Sequence, residues 1–215
     1  LKDVYVKFKD FAVFGSLLEL TSVLIFYGPI FILSYIIQNQ NYVGQYSVIS
    51  RLIWPPVILL ATSVSSALYY YLKKNNEKIK RDTIYGVYLS IFLLCVSPVI
   101  AYLCSKLLEL TIVSKTWDVI YEFTFFVVII ALSYMSSIYV RAIVRFKKLQ
   151  KYQLILECFF ISSIVLFVFL YKLNDIFYVM KIYSIFYAFF NLIFVLSVSF
   201  YVFKNEQKVL NEITN

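Results

Sequence analysis

The chain has 215 residues, 62% of them apolar and 15% charged, with 21 Phe, 20 Tyr and a net charge of +8. A soluble core of this size cannot hide so much apolar surface, so lipid is the solvent for most of the chain, and the basic balance reads as loop cations that orient a membrane protein, with no nucleic-acid partner expected. The sequence contains no His, which excludes the imidazole base and the Ser-His and Cys-His nucleophile pairs; Cys95, Cys104 and Cys158 stand singly in apolar stretches as expected small buried hydrophobes, and neither metal nor cofactor is expected.

Six stretches reach the ~20 residues a helix needs to cross a bilayer, at about 11–37, 45–72, 83–104, 119–140, 152–171 and 176–203. They are too long for strands and lack the alternation of outer-membrane barrels. The predicted fold is all-α: one polytopic bundle of six transmembrane helices over 1–215, closed by a short tail at 204–215. The opening Leu1-Lys2-Asp3 has neither an initiator Met nor a signal pattern, so the chain is expected to start inside a longer one.

In the first span, Ala12, Gly15, Glu19, Ser22 and Phe26 form a stripe of small and polar residues. Glu19 lies about 12 Å inside the span, too deep for a carboxylate stem to reach the interface. Pairing the first two spans about residue 41 sets it level with Thr62, Ser63 and Ser66, its expected hydrogen-bond partners.

The second span opens Y-V-G-Q-Y-S-V-I-S-R-L-I-W-P-P. Ser47, Arg51, Pro55, Ile58, Thr62 and Ser66 follow spacings of 4, 4, 3, 4 and 4, which is one helical face. Pro55 and Pro56 lack amide hydrogens and free the carbonyls of Arg51 and Leu52, so a helix break is expected, tolerated where it faces protein or a hydrated cavity; a packed kink is the alternative. Arg51, about 9 Å below the surface, either lifts its head to the interface or faces such a cavity. Its depth differs from that of Glu19 by about 18 Å, too far for an ion pair.

Beyond the third span, residues 105–118 are too short and charged to cross and are expected as an interfacial helix with Trp117 at headgroup level. Glu122, about 5 Å deep, is expected at the interface, and Lys181, about 8 Å deep, to reach it by its long stem. Across the turn near residue 173, Glu157 comes level with Asn191, an expected structural hydrogen bond. Fifteen basic residues fall before the first span, between the second and third, between the fourth and fifth (Arg141, Arg145, Lys147, Lys148 and Lys151) and after the sixth. The opposite connections hold Lys106, Lys115 and Lys172, so both termini are expected in the cytoplasm.

The order of an apolar first helix, the stretch from Tyr42 to Val64, a basic loop, and K-T-W-D-V-I-Y-E-F before a long apolar helix resembles the carboxy-terminal half of bacterial polysaccharide-export flippases, relatives of the multidrug and toxin extrusion transporters. The likeness spans nearly the whole chain and rests most on Gly44 to Ser47 with the following Arg and Pro, and on the aromatic-rich segment at Trp117. It implies a second six-helix lobe related by a pseudo-two-fold and a cavity lined in part by the first two helices. It further implies export of an undecaprenyl-pyrophosphate-linked oligosaccharide across the bacterial inner membrane by alternating access, for O-antigen or capsule. On that reading the cavity residues are Arg51, Ser47, Thr62 and Ser66, with Arg51 placed to hold pyrophosphate oxygens, Glu19 is the ion-coupling group, and the partners are the lipid-linked oligosaccharide, membrane lipids and the second lobe.

No phosphate-binding G-x-x-x-x-G-K-[ST] occurs, so ion gradients or substrate supply would drive transport. A membrane-embedded enzyme of the same glycan pathway is a second class. It would need a sizeable outer loop or clustered acid-base groups, and the longest outer connection is about fourteen residues. A multidrug-type cation antiporter lobe and a non-transporting structural subunit, in which buried polar residues only join helices, complete the alternatives.

Overall fold

A computed structural model describes residues 2–36, 40–75, 79–111, 117, 119–171 and 175–214, with side chains described outside 2–12, 36, 80, 169–171 and 205–214. The helices in chain order are α1 (Lys2–Ile36), α2 (Gln40–Lys74), α3 (Ile79–Thr111), α4 (Ile120–Ser136), α5 (Ile138–Phe146), α6 (Gln150–Tyr171) and α7 (Ile176–Thr214), and no strand occurs among the described residues. Six spans are long and apolar enough to cross a membrane, with α4 and α5 sharing the fourth, Ile120–Phe146. The chain is a six-span, all-helical membrane protein. The helices overrun the expected spans, because polar flanks such as those of α1 stop a hydrocarbon-buried segment without stopping a helix.

The α4/α5 boundary falls at Ser137 (φ −88°, ψ −1°), within a run of serines. Ser133 donates to the Ile129 carbonyl (2.7 Å), Ser136 to that of Ser133 (2.7 Å) and Ser137 to that of Tyr134 (2.8 Å). The Ser137 amide bonds the Tyr134 carbonyl three residues back (3.1 Å), tightening the turn. Hydroxyls competing for helix carbonyls bend helices in this way. Ser90 on α3 donates to the Ser136 carbonyl and ties the bend to its neighbour.

A tight turn then joins α5 to α6. The Leu149 amide bonds the Val144 carbonyl (2.8 Å) and the Lys148 amide that of Arg145 (3.4 Å), with Lys148 at φ 59°. This is a Schellman cap with Lys in the left-handed position that Gly usually fills. It folds α6 back along α5, so their polar faces meet.

The apolar core runs through the bundle. Phe26 of α1 stacks on Trp54 of α2 (4.2 Å between centroids) and meets Tyr134 of α4 edge-on (4.9 Å). Phe123, Met180 and Tyr187 are also sealed in this cluster. Aromatic pairs in these geometries contribute roughly 0.5–1.5 kcal/mol each beyond area burial. A second cluster, with Leu72, Ile79, Ile143, Phe194 and Val198, closes the end where α2 meets α3 and α5 meets α6. The fourth span is the axis of the bundle: 61% of its apolar window is buried, against 11% in α2 and 17% in α3. The outer faces of α2 and α3 are correspondingly bare.

Three expectations are corrected. Pro55 and Pro56 do not break α2, which runs uninterrupted from Gln40 to Lys74. Both prolines are exposed on the outer face while the neighbouring Trp54 is fully buried, so its packing holds the helix across the missing hydrogen bonds. Cys95 and Cys158 are exposed and Cys104 half-buried, not core residues. On outward faces of membrane helices a small thiol meets lipid, and burial against protein is not required. The interfacial helix expected over 105–118 is not separate where it is described: 105–111 continue α3 to Thr111, because a charged flank does not stop a helix, and Trp117 packs on the core, while 112–116, 118 and the turn near residue 173 lie outside the described residues.

Candidate functional site

The bend at Ser137 aims α5 so that Arg141, one turn on, points into the bundle. Its guanidinium lies over the Tyr134 ring (4.6 Å to the centroid) and near that of Phe194 (5.5 Å). Its Nε donates to Ser137 Oγ (2.9 Å) and its Nη1 to Glu157 Oε1 (2.8 Å). Glu157 on α6 is 0% exposed. Besides Arg141 it accepts from Gln153 Nε2 (2.8 Å) and, through Oε2, from the Thr21 hydroxyl of α1. A buried carboxylate is tolerable in lipid when its charge is matched and its lone pairs are filled, and both conditions are met here. The cluster ties α1, α5 and α6 together.

Beside it opens a cavity of about 380 Å³. Helix α1 supplies Gly15, Ser16, Leu18, Glu19 and Ser22; α2 supplies Thr62 and Ser65; α4 and α5 supply Tyr134, Arg141 and Arg145; and α6 supplies Gln150 and Gln153. Arg145 and Glu19 form no ion pair within 4 Å among the described residues. Gln150, the first residue of α6, is 8% exposed, and its buried Nε2 has no hydrogen-bond partner. One wall therefore presents a guanidinium, an orphan amide donor and a helix N-terminus, three features that favour an anion. Glu19 stands on the facing helix.

The sequence-predicted residues divide across this geometry. Glu19 and Thr62 do share the cavity, but Thr62 donates to the carbonyls of its own helix at Ile58 (2.9 Å) and Leu59 (3.1 Å), and not to Glu19. Ser63 is exposed and Ser66 half-buried, and neither lines the cavity. Ser47 is half-buried and bonds the Val43 carbonyl (2.8 Å). Arg51 is exposed outside the cavity, on the face it shares with Pro55 and Thr62, roughly 16 Å along α2 from Thr62. The expected Glu157–Asn191 pair does not form: Asn191 Nδ2 donates to the Tyr187 carbonyl (2.9 Å), and Arg141, Gln153 and Thr21 fill Glu157. Lys181 is exposed, while Glu122 is half-buried and accepts from the Tyr121 hydroxyl (3.3 Å).

Arg141 and Arg145 are what reading by connection misses. They belong to α5 and not to a loop, which shrinks to 147–149. A signal for them exists: two arginines four apart share one helical face in the otherwise apolar stretch I-Y-V-R-A-I-V-R-F. Comparisons with family models, with curated proteins and with solved structures find no match to this chain.

Proposed function

We propose that the chain is one lobe of a membrane transporter and that the cavity between α1, α2, α5 and α6 is part of its substrate path. The observation that carries this reading is two ionisable groups that form no ion pair with each other, exposed Glu19 and half-buried Arg145, lining one cavity between the helices of an apolar bundle. Arg145 stands one residue from the end of its span and Glu19 six residues from the start of its own, so both charges border the mouth of the cavity, where water, ions or a polar substrate would enter. The fully satisfied Arg141–Glu157 cluster is different in kind and serves as the fixed wall.

Within that reading the substrate is an oligosaccharide on undecaprenyl pyrophosphate, flipped across a bacterial inner membrane together with a second six-helix lobe. The residue order of the resemblance to polysaccharide-export flippases supports it, as does the anion-favouring wall of Arg145, Gln150 and the α6 N-terminus. Arg51, further along the bare face of α2, would meet the same substrate later in its passage. Glu19 would carry the coupling ion. Both termini are cytoplasmic in this scheme.

Glu19→Gln and Arg145→Ala, each introduced into the protein in its own host, are expected to lower surface polysaccharide at least about tenfold with membrane levels of the protein unchanged. Normal glycan display in both variants would remove the cavity from the transport path.

A further inference from the structure

At the other side of α5, away from the cavity, Asp82 in the first turn of α3 is 9% exposed. A first-turn carboxylate complements the helix dipole, which accounts for its charge. It does not account for its burial, nor for Oδ2, which is sealed from solvent without a hydrogen-bond partner. The Tyr139 hydroxyl beside it is sealed and unpartnered too. Tyr71 of α2, with Tyr85, Leu89 and Tyr139, lines an open hollow of about 220 Å³ around Asp82. The Tyr139 ring lies directly on Gly86, where any side chain would collide with it, so α3 leaves room for this ring and no other group.

We propose that Asp82, Tyr71, Tyr85 and Tyr139 form a binding site for the primary ammonium of a phosphoethanolamine headgroup. The buried carboxylate oxygen under the hollow favours an N–H donor carrying positive charge, which reaches Oδ2 when the exposed Tyr71 side chain shifts aside, and the tyrosine faces attract a cation. One carboxylate with phenolic oxygens offers too few hard ligands for Ca²⁺ or Mg²⁺, which take six or more oxygens. A quaternary ammonium suits the rings but has no N–H to give the buried Oδ2, so a choline headgroup binds less well. The flanking charge fits the rest of the headgroup. Arg81, mostly exposed, holds Nε 3.5 Å from Asp82 Oδ1, and exposed Lys73 and Lys74 end α2 at the same end of the bundle, cations suited to a phosphodiester. Asp82 and Tyr71 both sit within a few residues of their span ends, the depth of lipid headgroups.

The test offers the purified protein an equimolar mixture of phosphatidylethanolamine, phosphatidylcholine and phosphatidylglycerol and counts the retained lipids by native mass spectrometry. The protein is expected to retain phosphatidylethanolamine over phosphatidylcholine by about tenfold, and Asp82→Asn to abolish that preference. Tyr139→Phe removes one oxygen and no charge; it is expected to weaken the preference and serves if Asp82→Asn does not fold. Soluble glycerophosphoethanolamine separates the sources of the shared chemistry: displacement of the retained lipid assigns the site to the headgroup from any source, and resistance assigns it to the membrane lipid. Equal retention of the ethanolamine and choline lipids, or a preference unchanged in either folded variant, overturns the site.

Discussion

Arg141 and Glu157 form an ion pair whose carboxylate is sealed in protein and whose guanidinium borders the cavity, and its worth shows when one member is removed. Glu157→Gln leaves a guanidinium buried without its charge partner, an arrangement that lowers stability by about 3–5 kcal/mol. The expected readout is a marked fall in the thermal unfolding midpoint of the detergent-solubilised protein. The double change Arg141→Met with Glu157→Leu is expected to recover most of that loss, because apolar groups of similar volume replace a buried pair at little net penalty. A midpoint unmoved by Glu157→Gln would show that the cluster bears no load. Glu19 differs from Glu157 at this same scale: one carboxylate has its lone pairs filled by three donors, the other borders a polar cavity.

Among the elements, the α5–α6 turn sets the register that joins these residues. Lys148 holds φ 59° there, a conformation that disfavours a side chain by roughly 1–2 kcal/mol. Lys148 is exposed, so Lys148→Gly relieves the strain without removing a packed group and is expected to raise stability by about 1 kcal/mol, visible as a higher unfolding midpoint. A lower midpoint would mean that the lysine contributes something the backbone geometry does not capture. The same turn explains which features are legible in the sequence. Spans follow from runs of apolar residues, which need no knowledge of neighbours, and all six are readable. Partners follow from register, and register depends on turns: folding about residue 173 matches Glu157 to Asn191, while the tighter turn at 147–149 gives it to Arg141. A basic residue near a span end looks the same in sequence whether it points out, as Lys148 does, or inward, as Arg141 does. Pro55 and Pro56 announce a break that the buried Trp54 prevents, because proline acts on the backbone locally and the packing that opposes it comes from α1.

Over the whole molecule, charge is sorted by end. The second apolar cluster joins the end of α2 and the start of α3 to α5, which brings Lys73, Lys74 and Arg81 to the same end as Lys147 and Lys148, while the Lys106–Glu109 pair (2.6 Å) lies near Tyr121 and Glu122 at the other end. The positive-inside rule then predicts a sidedness that labelling can measure. In a variant lacking the three native cysteines, a single cysteine replacing Lys74 is expected to resist a membrane-impermeant maleimide in intact cells, and one replacing Thr116 to react. The reverse pattern would invert the topology. The outer faces of α2 and α3 are bare, with Leu52, Leu59, Phe92 and Leu107 all more than 60% exposed, as suits surfaces that meet lipid.

The enclosed pair also bears on how the chain enters the bilayer during synthesis. Each of the two charges alone adds roughly 2.5–3.5 kcal/mol to insertion of its segment. They lie sixteen residues apart on consecutive segments joined by a tight turn. The guanidinium emerges from the ribosome first and the carboxylate that neutralises it sixteen residues later, so the fourth and fifth segments are expected to enter the hydrocarbon most readily as one hairpin.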